Sequence, residues 1–285
     1  MGQLRDRMEQ DLVPRGLSPS TRKIYLIYAR KFAAFHGRPP QEMGEAQVRQ
    51  FLLHLIQTEQ VSAETYRQVY AAVRFLYAVT LGRRWEVQRI PFRKRPKRLP
   101  TVLSRDEIAA LLGAVRRARY RVLLMTLYAA GLRINEGCRL RVRDIDAKRG
   151  VIHVRGAKGQ KDRQTVLSAE LLGVPRRYWV IGRPRPWLFP GRTNAGHLCD
   201  NSVRQAFKNA CRRAGIGRSC SPHALRHSFV THQLESGTPL VVIQRMLGHH
   251  SIRTTSIYTH VATDQVGNAP SLLAQLDIDV HHLDA

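Results

Sequence analysis

The stretch that decides the fold reads Ser221-Pro222-His223-Ala224-Leu225-Arg226-His227. A serine followed by a proline is a helix start signal, so the sequence predicts a helix over residues 222–235. His223 and Arg226 are three residues apart, and this spacing places both side chains on one face of that helix. The same face can therefore direct two hydrogen-bond donors at one anionic group.

Other helices surround this one in the second part of the chain. Apolar spacing and start signals predict helices over residues 105–117, 120–130, 201–214 and 239–247. Ser104 and Glu107 form a capping box at the start of the first of these helices. Gly131 ends the second, so Arg133 is expected just beyond a helix C-terminus.

One hairpin is predicted between these helices. Residues 151–155 alternate in polarity as a strand does, residues 163–167 match as a partner strand, and residues 156–162 form the turn. Lys158 is expected at the tip of this turn. The fold class is therefore mainly α with a small antiparallel β-sheet (α+β).

The N-terminal part has helical spacing throughout. Apolar residues recur at helical intervals over residues 25–35, 48–55 and 66–77, with a weaker pattern over residues 4–12. Ser18 and Ser62 occupy helix-cap positions. We therefore predict a helical bundle over residues 1–88.

A basic segment over residues 89–100 follows, with three prolines and six basic side chains. Such a segment cannot continue a helix and is expected to be an extended linker. We predict that it lies along a phosphate backbone, with contacts from Arg93, Lys94, Arg95, Lys97 and Arg98; the alternative is a merely solvated linker. The rest divides into a domain over residues 101–261 and an acidic tail over residues 262–285.

The charge of the chain indicates its partner class. The 285 residues carry 47 Lys and Arg against 21 Asp and Glu, a formal charge of +26. This excess predicts binding to a polyanion, and nucleic acid is the leading candidate. No apolar run approaches the ~20 residues that a membrane span requires. The four cysteines lack regular spacing and the N-terminus has no secretory signal, so a cytoplasmic location with reduced thiols is expected.

Five strings occur in a fixed order along the second part of the chain: Gly131-Leu132-Arg133-Ile134-Asn135-Glu136, Gly156-Ala157-Lys158-Gly159-Gln160-Lys161-Asp162-Arg163, His223-Ala224-Leu225-Arg226-His227-Ser228-Phe229, Leu247-Gly248-His249 and Tyr258-Thr259-His260. In content and order they resemble the tyrosine recombinase (phage-integrase-like, Xer-like) family. The resemblance covers nearly the whole chain. It implies an N-terminal helical core-binding domain and a C-terminal tyrosine-recombinase catalytic domain.

The resemblance also implies catalytic roles. Arg133 and Arg226 would grip the scissile phosphate, where preorganised donors stabilise the transition state most. Tyr258 would be the nucleophile. Glu136 matches an acidic position that orients the neighbouring arginine, a supporting role.

The remaining donors follow from the same motifs. His223 would donate to the phosphate or accept the tyrosine proton, and His249 would add a donor, with His250 the weaker choice. Lys158 would protonate the leaving 5′ oxygen. Because Ala157 interrupts the family's usual Gly-Lys-Gly string, Lys161 is a rival for this role. Two residues of this segment, Lys161 and Arg163, are also predicted to contact DNA.

A metal site is the alternative for the two histidines of the predicted helix. His223 and His227 are four residues apart, as zinc ligands on a helix can be. However, Ala224 occupies the place where a zinc hydrolase carries its general-base glutamate. We therefore predict no metal and no other cofactor.

These features predict a site-specific DNA recombinase or integrase that works through a 3′-phosphotyrosine intermediate. The resemblance implies a tetramer on paired sites, with no small-molecule substrate and no membrane partner. Two alternatives remain: a type IB-like topoisomerase, which uses the same chemistry on one duplex, and a non-catalytic DNA-binding protein.

Overall fold

The computed structural model describes residues 2–83, 100–156, 162–192 and 196–248. The chain divides into two compact units, residues 1–98 and 99–285. The predicted basic linker, apart from Pro100, and the predicted acidic tail lie outside the described residues. Among the described residues, no helix has the length and apolar character needed to cross a membrane.

The described part of the first unit is helical. Its α-helices are α1 Gly2–Leu12, α2 Pro19–His36, α3 Glu45–Gln57 and α4 Ala63–Phe75. The helical segments predicted from apolar spacing are confirmed, and so are two of their caps. Ser18 accepts a hydrogen bond from the Thr21 amide at 3.2 Å and Ser62 accepts one from the Thr65 amide at 3.1 Å.

Aromatic rings fill the interior of this bundle. Phe32 packs edge-to-face against Phe51 and Tyr77, with ring centroids 5.4 and 5.9 Å apart. All three rings are fully buried. The Tyr77 hydroxyl donates to the Pro40 carbonyl at 3.1 Å, so its polar end is satisfied inside an apolar core.

The second unit combines helices with one small sheet. Its described α-helices are α5 Arg105–Gly113, α6 Ala118–Ala129, α7 Ile134–Cys138, α8 Ala169–Gly182, α9 Asp200–Arg213, α10 His223–Glu235 and α11 Leu240–Leu247. Its described strands are β1 Ile145–Asp146, β2 Val151–Val154 and β3 Arg163–Val166. The predicted fold class is confirmed.

The sheet is antiparallel, with the strand order β1-β2-β3. In the predicted hairpin Ile152 pairs with Thr165 and Val154 pairs with Arg163. The Gly156 amide donates to the Asp162 carboxylate at 2.9 Å, which closes the base of the turn. The tip of the turn, including Lys158, lies outside the described residues.

Two glycines allow helices to approach closely where Arg133 is presented. Gly131 has a φ of +61°, and a Cβ there would lie 2.5 Å from the Phe229 ring of α10. A Cβ on Gly137 would lie 2.4 Å from Leu127 of α6. Glycine is therefore required on both sides of Arg133 for α6, α7 and α10 to pack as they do.

The structure differs from the sequence expectation at three helices. The helix predicted over residues 105–117 ends at Gly113, because Arg121 donates to the carbonyls of Gly113 and Val115 at 3.0 Å and satisfies its end. No helix was predicted over residues 134–138, the short α7, or over residues 169–182. Pro175 lies inside the latter helix, α8, and proline is normally a stop signal.

Candidate active site

Glu136 of α7 is the centre of the candidate site. Its carboxylate accepts from the Arg133 amide and from the Arg133 Nη1, both at 2.8 Å. It also accepts from Arg163 Nη1 at 2.8 Å and Nη2 at 2.7 Å, a bidentate pair. Arg226 Nη1 lies 3.8 Å away from the same carboxylate. One acidic side chain thus anchors three arginines.

This carboxylate stays ionised although it is buried. Its side chain is only 8% exposed. Burial raises the pKa of Glu136, but hydrogen bonds and charge from Arg163, together with hydrogen bonds from Arg133, outweigh burial and lower the pKa to about 2. The cluster therefore keeps one fixed negative charge among three positive ones at neutral pH.

Arg226 is held by main-chain carbonyls from two other segments. Its Nη1 donates to the Gly131 carbonyl at 2.6 Å and its Nη2 to the Leu247 carbonyl at 2.8 Å. The residue is 5% exposed. It lies in the first turn of α10, as the sequence predicts, and its orientation is fixed by the end of α6 and the end of α11.

Arg133 is the most accessible arginine of the cluster. It occupies the N-cap position of α7, and both its amide and its guanidinium bond to Glu136. Its side chain is 28% exposed, against 6% for Arg226. The position of Arg133 is therefore fixed by Glu136, while its guanidinium remains partly exposed.

His223 begins α10, three residues before Arg226. Burial and the positive charges of Arg204, Arg226 and Arg133 lower the pKa of His223, and Glu136 opposes them only in part. The imidazole is therefore neutral at pH 7. His227 lies on the next turn with its ring centroid 6.4 Å from that of His223, and burial lowers its pKa to about 4.

The structure thus brings together Arg133, Glu136 and Arg226. It places His223 close enough for their charges to shift its pKa. The other predicted catalytic residues lie outside the described residues: Lys158, His249 and Tyr258. So do the predicted DNA contacts at Arg93, Lys94, Arg95, Lys97, Arg98 and Lys161. Within the described ranges, no group of three or more His, Cys, Asp and Glu side chains is arranged to hold a metal ion.

Arg163 does not fit the DNA contact predicted for it. Its side chain is 6% exposed, and its guanidinium binds Glu136 and the Met246 carbonyl, the latter from Nε at 2.8 Å. A side chain buried in this way is not presented to a phosphate backbone. The alternation of side chains along the strand is the signal in the sequence for this burial, because Arg163 shares a face of β3 with Thr165, which is 2% exposed.

Known proteins resemble this chain over almost all of its length. The model of the Phage integrase family matches residues 101–265, and that of the Phage integrase, N-terminal SAM-like domain, matches residues 4–87. A putative integrase/recombinase, y4qK, of Sinorhizobium fredii is 39% identical over 93% of this chain and 87% of its own length. The tyrosine recombinase XerA of Thermococcus kodakarensis is 32% identical over 93% of both chains.

Solved structures give the same result for the fold. A crystal structure of XerA recombinase matches with a TM-score of 0.55 and 26% identity over 95% of this chain and 99% of that one. A lambda integrase(75-356) dimer bound to a COC′ core site matches with a TM-score of 0.74 and 18% identity over 90% and 94%. The chain belongs to the phage integrase family, the tyrosine recombinases.

Proposed function

We propose that this protein is a site-specific DNA recombinase that breaks and rejoins strands through a 3′-phosphotyrosine at Tyr258. The observation that carries the proposal is the buried Glu136 carboxylate, which fixes Arg133 and stands 3.8 Å from Arg226. A buried cluster with more positive than negative charge suits a bound phosphate. Family membership supplies the reaction class.

Arg133 and Arg226 are proposed to bind the non-bridging oxygens of the scissile phosphate. Both are held by other groups before DNA arrives: Arg133 by Glu136, and Arg226 by two main-chain carbonyls. Donors that need no reorganisation stabilise the charge of a pentacovalent transition state most effectively. Glu136 acts by holding these donors and not by touching the DNA.

His223 is proposed to serve the same phosphate. Its lowered pKa keeps the imidazole neutral, so one ring nitrogen can donate to the phosphate while the other accepts a proton. A neutral imidazole is also the form that can accept the proton of an attacking tyrosine.

The remaining catalytic roles rest on the family resemblance. Tyr258 attacks the phosphorus and forms the phosphotyrosine, while Lys158 protonates the leaving 5′ oxygen, with Lys161 as its rival. His249 adds a donor to the phosphate. A 5′ hydroxyl from a partner duplex then reverses the reaction, so the bond energy is conserved and no ATP or other cofactor is consumed.

Double-stranded DNA is the proposed substrate, and a homotetramer on two paired sites is the proposed assembly. The formal charge of +26 favours phosphate contacts, which supply most of the affinity in such complexes. The basic residues of the 89–100 segment, with Lys161, are proposed to follow the backbone. The same proposal places the enzyme in the cytoplasm with its DNA.

The test is covalent capture on a nicked duplex. A binding duplex is selected from a randomised pool with the full chain, then prepared with a nick moved one nucleotide at a time along one strand. Cleavage beside a nick releases a short fragment, so the protein stays attached to DNA on a denaturing gel. Wild type is expected to form this adduct at one nick position.

Two variants sharpen this test. Tyr258→Phe is expected to bind the duplex normally and form no adduct. Tyr178→Phe, which alters a half-buried tyrosine stacked on Phe189, is expected to form it as wild type does. No wild-type adduct at any nick, or an adduct with Tyr258→Phe, would contradict the proposal. Relaxation of a supercoiled plasmid without strand exchange between two sites would indicate a topoisomerase instead.

A further inference from the structure

We propose that Arg163 is a positioning residue that ties Glu136 to the last turn of α11 and so sets the geometry of Arg133 and Arg226. This inference rests on the proposed function and assigns a role to a residue that does not touch the DNA.

The guanidinium of Arg163 is used on all of its nitrogens. Nη1 and Nη2 bind the two oxygens of Glu136 at 2.8 and 2.7 Å, and Nε donates to the Met246 carbonyl at 2.8 Å. Only a planar fork can make these three contacts from one side chain. Arg163 therefore connects β3 to both α7 and α11.

Two arginines secure the end of α11. Arg163 binds the Met246 carbonyl, and Arg226 binds the Leu247 carbonyl at 2.8 Å. Carbonyls in the last turn of a helix have no partner within the helix, so outside donors determine where this end lies. Both arginines also face Glu136, which makes the carboxylate a common anchor for the cluster and for the helix end.

Gly248 caps α11 and packs directly against the aliphatic part of Arg163. Gly248 has a φ of +64°, and a Cβ there would lie 2.6 Å from Arg163 Cδ. The aliphatic part of Arg163 thus occupies the space that a side chain would need. His249, the next residue in the sequence, is a proposed phosphate donor, so the arrangement fixes the point from which that segment begins.

The experiment compares Arg163→Gln and Arg163→Lys with wild type in the full chain. The substrate is the nicked duplex on which wild type forms its covalent adduct. DNA dissociation constants, their salt dependence and single-turnover cleavage rates at saturating DNA are measured. Both variants are expected to cleave ~10²-fold more slowly, the effect of a misplaced catalytic group, with dissociation constants within about threefold of wild type. Lysine is expected to fail because a single ammonium cannot make the three contacts.

The pH dependence of cleavage separates positioning from general damage. Among the described residues, the charged and titratable groups nearest Glu136 are Arg133 beside it on α7, Arg163 on β3, and Arg226 and His223 on α10. The cavity that Glu136 lines is also lined by Arg139, Arg141, Asp144, His153 and Arg155. Without Arg163, burial is opposed mainly by the hydrogen bonds from Arg133, so the pKa of Glu136 rises and its charge is lost at a higher pH than in wild type. The rate of Arg163→Gln relative to wild type should therefore drop between pH 7 and pH 5. Arg163→Lys, which restores the charge, should drop less.

The matched control is Arg121→Gln, which removes an arginine bonded to two carbonyls at the end of α5. Its cleavage rate and pH profile are expected to match those of wild type. Wild-type rates in both Arg163 variants would overturn the inference. Weaker binding with a shallower salt dependence and normal cleavage at saturation would restore the DNA-contact prediction.

A second pair of variants tests the same link without changing a charge. Gly248→Ala pushes a methyl group against Arg163, whereas Gly237→Ala places one in open space at a similar φ of +81°. Gly248→Ala is expected to slow cleavage ~10-fold more than Gly237→Ala at equal DNA affinity. Equal rates would contradict the inference even if the Arg163 variants fail to fold. A wild-type chain that forms no adduct would sink the proposed function instead.

Discussion

The two units of the chain bury different kinds of side chain. In the described part of the first unit, the buried side chains are apolar or aromatic apart from Thr80. In the described part of the second, the buried residues include the polar or charged set Thr126, Asp144, Thr165, Arg226, Ser228, Thr231 and His232. One interior is therefore close to a plain apolar core, and the other contains a charged cluster.

This difference separates stability from chemistry. Apolar burial stabilises a fold without requiring partners, whereas a buried charge costs desolvation energy unless other groups satisfy it. In the Glu136 cluster, hydrogen bonds between the carboxylate and the arginines offset that cost and hold the arginine donors in one arrangement. The first unit is therefore expected to respond to substitution in its stability and the second in its cleavage rate.

The largest effect is expected from Arg226→Gln. It removes a donor from the phosphate, removes the group that binds the Gly131 and Leu247 carbonyls, and takes away one of the three arginines around Glu136. Single-turnover cleavage should fall by ~10³-fold, the effect of losing one preorganised donor, while DNA binding weakens little. Cleavage within tenfold of wild type would contradict the distinction between the two interiors, because the buried charge of Arg226 would then have no large catalytic role.

The opposite response is expected from Phe32→Ala. Phe32 is fully buried among aromatic rings, so its truncation should lower the free energy of unfolding by about 3–5 kcal/mol. Denaturant titration of the full chain measures this change. Cleavage by the folded fraction at saturating DNA should stay within about threefold of wild type; a large loss would show that the first unit's interior also governs the chemistry.

The loss of stability at low pH tests the role of Glu136 in the charged interior of the second unit. Its pKa is lowered in the folded state, so its stabilising contribution is complete above the ordinary value of 4.5 and is lost as the pH falls towards about 2. The shift corresponds to ~3 kcal/mol. Denaturant titrations at pH 6 and pH 3 should show that Glu136→Gln loses less stability on acidification than wild type. An equal loss would mean that the cluster does not hold the carboxylate ionised.

The smallest effect is expected from Tyr77→Phe. This change removes a polar contact of the first core, the bond from the Tyr77 hydroxyl to the Pro40 carbonyl. The free energy of unfolding should fall by about 1 kcal/mol, the net value of one hydrogen bond, with cleavage unchanged. A loss above about 3 kcal/mol would show that the first interior also depends on polar contacts.

Local sequence signals predicted much of the fold because they act over a few residues. The capping box of Ser104 and Glu107 is present, with the Ser104 amide bonded to Glu107 at 2.8 Å and the Glu107 amide to Ser104 at 3.1 Å. The hairpin alternation and the start of α10 at His223 were predicted as well. Each depends on neighbours along the chain and needs no knowledge of packing.

The arrangement of the site depends on contacts between distant segments. Arg133 and Glu136 are three residues apart, and their pairing could be foreseen. The link from Arg163 to Met246 spans 83 residues and requires β3 to lie beside α11. A basic residue next to a lysine-containing turn indicates a DNA contact by local reasoning, and only the tertiary packing shows that the partners of Arg163 are Glu136 and Met246.

The most direct measurement identifies the residue that carries the DNA. Trypsin cleaves after Arg253, and residues 254–285 contain no lysine or arginine and a single tyrosine, Tyr258. Mass spectrometry of the digested wild-type adduct should therefore place the nucleotide on the 254–285 peptide. A nucleotide on any other peptide would contradict the assignment of Tyr258 as the nucleophile served by the Glu136 cluster.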